Sequence, residues 1–179
     1  MNTMKSKIVR HLILSVLLTA SFVRADDDTL KIDYNRFDDE TSVSTESYSI
    51  AEFHELSAAF LFHGQKMRAR PRTISLLLTF HHVRPAEKPM CEKGCNVRMI
   101  IDGKRLPGSL PTTNPQLGGG GVLDWTSIEI PLATFRRIAA GKLVEIAIGG
   151  NEAPKLSDTE LSAFRDMVRY IDTAKSSAK

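Results

Sequence analysis

Apolar residues recur along this chain with two different periods, and the change of period divides it. Over most of its length they alternate singly with polar ones. Leu30, Ile32 and Tyr34 alternate with Lys31, Asp33 and Asn35; Ile74, Leu76, Leu78 and Phe80 share one face of the segment 73–82; Val97, Met99 and Ile101 share one face of a third segment. An extended backbone sends successive side chains to opposite sides, so each stretch predicts a strand with one buried face. Thr41 to Ile50 continues the pattern in β-branched and hydroxyl residues suited to an exposed sheet face. Residues 57–63 read as a strand running into the His63-Gly64 turn, and Val122 to Ile130 as another. The segment 73–82 is expected at the centre of the sheet. Asp102-Gly103 supplies a two-residue hairpin turn, and Pro107 cuts short the return strand 104–106.

Late in the chain the period becomes helical. Leu132, Phe135, Ile138 and Ala139 predict a two-turn helix over 132–140, with Gly141 expected as a left-handed C-terminal cap. The compact apolar run Leu143 to Ile148 is a strand stopped by Gly149-Gly150. Ser157 and Glu160 then have capping-box spacing, and Leu156 and Leu161 fit the hydrophobic staple beside it. Leu161, Phe164, Met167, Val168 and Ile171 fall within an arc of roughly 120°, opposite Ser162, Arg165, Asp166 and Arg169. Such a helix needs an apolar sheet to cover, and strand 143–148 with its neighbours is the expected partner. Between these regions, Gly108 to Gly121 contains Pro111, Pro115 and four consecutive glycines and predicts a flexible loop. The sum is an α+β chain, mainly β: an antiparallel sheet or β-sandwich covered by a C-terminal amphipathic helix.

The first 25 residues stand apart. Lys5, Lys7, Arg10 and His11 lead into the apolar run Leu12 to Val23, which is short for a membrane span, and Val23-Arg24-Ala25 resembles a signal-peptidase site. Residues 1–25 are therefore expected to be a cleaved signal peptide, 26–174 a single globular domain and 175–179 a disordered tail, with the protein secreted or periplasmic. No membrane span is expected after cleavage, and no cysteine follows the apolar run to carry a lipid anchor. The leader also changes the charge. Removing four of the 24 basic residues and none of the 21 acidic ones turns a net +3 into −1, so the basic balance does not point to a nucleic-acid partner.

Few residues suggest chemistry. Cys91 and Cys95 are the only cysteines, and in an exported chain a C-x3-C loop is expected to close as a disulfide. The competing reading joins them to His81 and His82 as a metal site, although adjacent histidines on a strand face opposite ways. His54, His63, His81 and His82 could act as general bases, but no strained G-x-S-x-G turn presents a nucleophile to them. No catalytic residue is assigned. Lys66, Arg68, Arg70 and Arg72 occupy alternate positions; if extended, they form a ridge for an anionic macromolecule, or they protect an exposed sheet edge. Trp125, beside the glycine loop, is either a ligand contact or a core residue. The tetraglycine lacks the Lys-Ser/Thr and the helix of a phosphate loop, and no cofactor is expected.

These features favour an exported, non-enzymatic β-rich domain with a binding or envelope-associated role. The alternative is a metal-dependent or hydrolytic exported enzyme using His81 and His82, with or without Cys91 and Cys95.

Overall fold

The computed structural model describes residues 29–51, 54–85, 88, 90–93, 95–108, 110–149 and 154–174. The expected signal peptide and the tail 175–179 lie outside the described residues. Among the described residues, eleven strands, two α-helices and a 3-10 turn at Gly119–Gly121 form a mainly β, α+β fold. The strands are β1 (Leu30–Asn35), β2 (Glu40–Thr45), β3 (Tyr48–Ala51), β4 (His54–His63), β5 (Thr73–His81), β6 (Asn96–Ile101), β7 (Lys104–Arg105), β8 (Leu110–Pro111), β9 (Thr113–Gly118), β10 (Leu123–Pro131) and β11 (Val144–Ile148). Helix α1 spans Leu132–Ala140 and α2 spans Asp158–Ala174.

The main sheet runs β1-β2-β4-β5-β10-β9, with β3 also paired to β4, and a smaller sheet runs β11-β6-β7, with β8 on β6. Every named pair is antiparallel. Strand β5 lies between β4 and β10, as its continuous apolar face requires. Its Ile74, Leu76, Leu78 and Phe80 are buried in one core with Val97, Met99 and Ile101 of β6, Val144, Ile146 and Ile148 of β11, and Phe135 and Phe164 of the helices.

The stretch 41–50 is not one strand: the chain breaks at Glu46-Ser47, so that β2 and β3 pair with successive parts of β4. The buried Thr45 hydroxyl accepts the Ala58 N–H at 3.0 Å and so satisfies a β4 donor at the break. The stretch 108–121 is not simply a loop, because β8 and β9 lie within it. A proline costs little in β9, since an edge strand needs to pair along one side only. Gly141, finally, is no left-handed cap: its φ is −66°. A Cβ there would sit 2.9 Å from methyl carbons of both Ile101 and Val144, so glycine is required for close approach.

Helix α2 begins as the sequence pattern implies. Glu160 accepts the Ser157 N–H, and the Glu160 N–H lies 3.4 Å from Ser157 Oγ. Leu161, Phe164, Met167 and Ile171 are buried. The helix packs chiefly against α1 and the β1–β2 end of the main sheet, not chiefly over β11. The aromatic rings of Phe135 and Phe164, 5.2 Å apart, join the two helices.

The Asp102-Gly103 turn has positive φ at both residues, 50° and 75°, as a tight hairpin demands. Asp102 Oδ1 also accepts the N–H groups of Lys142 and Leu143, each at 2.9 Å, which hold its carboxyl below the usual range and tie the hairpin to the start of β11.

Candidate functional site

Strand register brings the chemically distinctive residues to one end of the main sheet. There β4 begins, β5 ends and β10 begins, so residues far apart in sequence become cross-strand neighbours. Because neighbours in register share a face, the end has two rows. On the inner face, His54 pairs with Phe80 and Phe80 with Asp124. On the outer face, Glu55 pairs with Thr79, Thr79 with Trp125 and Trp125 with Gln116. His81 and His82 are the next two residues of the chain and diverge, His81 outward and His82 inward.

The inner row centres on a buried carboxylate. Asp124 is fully buried; its Oδ2 accepts the Met90 N–H and lies 3.3 Å from His82 Nε2, whereas Oδ1 has no hydrogen-bond partner among the described residues. A buried carboxylate is costly unless paired, and here it connects the loop carrying Cys91 to the sheet. His54 stands edge-on to Phe80, with ring centroids 5.1 Å apart. Burial lowers its pKa below the ordinary 6.5; Asp124 opposes that shift, and His81 and His82 add to it.

On the outer face, Glu55 is held between the Ser47 hydroxyl, which donates to Oε2 at 2.8 Å, and His81 Nε2, 3.0 Å from Oε1. The His81 approach lies off the hydrogen-bond direction, so the two side chains meet in a close polar contact without a hydrogen bond. Trp125 is half-buried on this face rather than in the core. Its six-membered ring occupies the space a side chain at Gly118 would fill, so the indole lies across edge strand β9 instead of standing off the sheet.

The proposed Cys/His set is not assembled. The Cys91 and Cys95 sulfurs lie 2.13 Å apart, at disulfide distance, which leaves no thiolate for a metal. His81 and His82 face opposite sides, each directed to its own carboxylate. Among the described residues no group of three or more His, Cys, Asp or Glu side chains could hold a metal ion. Glu55 and Asp124 were not legible as site residues, because a lone acid in a strand has no sequence signature; only the pairing register puts them beside histidines.

Lys66, Arg68, Arg70 and Arg72 lie in the β4–β5 connection at the opposite end of the sheet. The connection is irregular, so they form neither a strand ridge nor a protected edge. All four are exposed, but Met67 between them is buried, and Arg70 is 3.0 Å from Asp172. Arg136 binds the same carboxylate through two bonds of 2.9 and 2.6 Å. That guanidinium pair holds Asp172 below its ordinary pKa of 3.8. One of the four cations therefore helps to secure α2, leaving Lys66, Arg68 and Arg72 as the exposed basic group.

No known protein family, characterised protein or solved structure matches this chain. No helix among the described residues is long and apolar enough to cross a membrane.

Proposed function

We propose that the chain is an exported, non-enzymatic binding domain with a role in or beyond the cell envelope, and that it engages a macromolecular partner through the outer face of the main sheet. The observation that carries this reading is the solvent-accessible surface of β4, β5 and β10 around Trp125. Leu77 is 37% exposed, with Ser57 and Ser127 as its cross-strand neighbours, and Leu61, 58% exposed, lies further along β4. Apolar groups set among hydroxyls, with one flat aromatic ring and a polar Glu55–His81 rim, have the makeup of a binding surface. The basic leader and apolar run support export, as does a cysteine pair at disulfide distance.

Trp125 is the only tryptophan, so its fluorescence reports directly on this face. Titration with fractionated envelope polysaccharide and protein should shift its emission with one fraction, and Leu77→Lys should weaken that response at least tenfold. Unchanged emission with every fraction would refute the surface. Hydrolytic turnover abolished by His82→Gln, or stoichiometric metal in the purified protein, would refute the non-enzymatic reading.

A further inference from the structure

Among the described residues, strand β1 is an edge of the main sheet, paired with β2 along one side only. Its residues are exposed apart from Leu30, and they include Ile32 at 49% and Tyr34 at 40%, both on the side that β2 turns toward the core. Helix α2 does not cover them. Its Asp166 accepts the hydroxyl of Thr29, the residue just before β1, at 2.9 Å. The strand thus presents free backbone groups and an apolar stripe together, which proteins ordinarily avoid at an edge.

We propose that β1 is a self-association edge: two copies of the chain pair their β1 strands antiparallel about a two-fold axis at Ile32, making one continuous sheet across the dimer.

The register follows from residue chemistry. Residues opposite one another in an antiparallel pair share a face, so any register that sets an odd position against an even one places Lys31 or Asp33 against an apolar residue. Among the even-matched registers, centring on Lys31 or on Asp33 sets that charge against its own copy. Centring on Ile32 alone sets Lys31 against Asp33 at both ends of the outer face, while Ile32 meets Ile32 and Leu30 meets Tyr34 on the inner face. Within one chain Lys31 and Asp33 are 3.7 Å apart and both largely exposed, available to exchange partners. The same two-fold axis sends the two α2 helices to opposite ends of the seam, because each lies near the Thr29 end of its own strand. Five residues of each strand, Leu30 to Tyr34, are paired and bury less than the roughly 1,200 Å² of a standard stable interface, so the dimer is expected to be weak and concentration-dependent.

Sedimentation velocity of the purified native chain, from micromolar to near-millimolar concentration, tests this. A monomer–dimer equilibrium is expected. Ile32→Lys and Lys31→Asp should each weaken it at least tenfold, whereas Lys31→Asp combined with Asp33→Lys should restore it. Ile32→Cys should cross-link to a covalent dimer on oxidation and Leu30→Cys should not, since only position 32 faces its own copy. Circular dichroism checks that each variant is folded. A monomer at every concentration overturns the proposal, as does a dimer insensitive to both single substitutions. Failure of the charge exchange to restore association overturns the register.

Discussion

The indole of Trp125 fills the place of the side chain that Gly118 lacks, with Cη2 2.6 Å from where a Cβ would stand. The two residues are diagonal neighbours across β10 and β9, since Trp125 pairs with Gln116 and Gly118 with Leu123. Gly118→Ala should therefore lift the ring from the sheet, at a cost of about 1–3 kcal/mol for overpacking. A red shift of the single-tryptophan emission, together with a lower urea midpoint, is the expected readout. An unchanged spectrum would mean that the ring does not rest there.

The cap and the buried face of α2 should fail separately. Phe164 is fully buried against Phe135, and Phe164→Ala should cost about 3–5 kcal/mol because a cavity adds to the lost transfer energy. Ser157→Ala should cost about 1 kcal/mol, since one capping bond is lost. Arg165→Ala, on the exposed face and losing only a long 3.4 Å bond to the Ala139 carbonyl of α1, should change stability by less than about 1 kcal/mol. Urea unfolding of the three variants must return that order.

Asp124→Ala leaves the Met90 N–H without its acceptor and should cost about 1–3 kcal/mol. The loop carrying Cys91 should loosen with it, so dithiothreitol should reduce the Cys91–Cys95 pair faster in the variant. Equal reduction rates would show that the carboxylate does not hold the loop.

Reduction itself should be mild in the native sequence. The bond spans a sequence separation of 4. A ring this short removes little unfolded-chain entropy, and opening it should cost no more than about 2 kcal/mol. Unfolding with and without reductant measures this, and free thiols in air-exposed native protein would contradict the bond.

His54 and the carboxylates, Asp172 among them, should make stability fall with acid in separate windows. His54 has its folded pKa below 6.5, so between the two values the unfolded chain binds more protons. Its contribution is complete above about pH 6.5 and is lost as pH falls below that value. Asp172, held down first by its Arg136 hydrogen bonds, contributes fully above its unfolded value of 3.8 and loses that contribution as pH falls through its lower folded value. The urea midpoint should decline as pH falls from neutrality through 6.5, and His54→Gln should flatten that decline.

The local patterns determined what local physics can determine. Alternation placed β5 and β6, helical periodicity placed α1 and the buried face of α2, and Ser157 with Glu160 marked where α2 begins, because each signal depends only on residues within a turn or two of one another. The Asp102-Gly103 turn was legible for the same reason. Composition misled where pairing overruled it: proline and glycine in 108–121 suggested a loop, yet β10 offered an edge on which β9 could form. The place of Gly141 after α1 suggests a need for conformational freedom, but the approach of Ile101 and Val144 is what requires it. Only the tertiary structure decided that α2 rests on α1 and the β1–β2 end rather than chiefly on β11, that Arg70 is bound to Asp172, and that Glu55 and Asp124 stand beside His81 and His82. Each of these depends on which strands become neighbours and in what register, and that choice is made by burial of the whole core, which no short window of sequence contains.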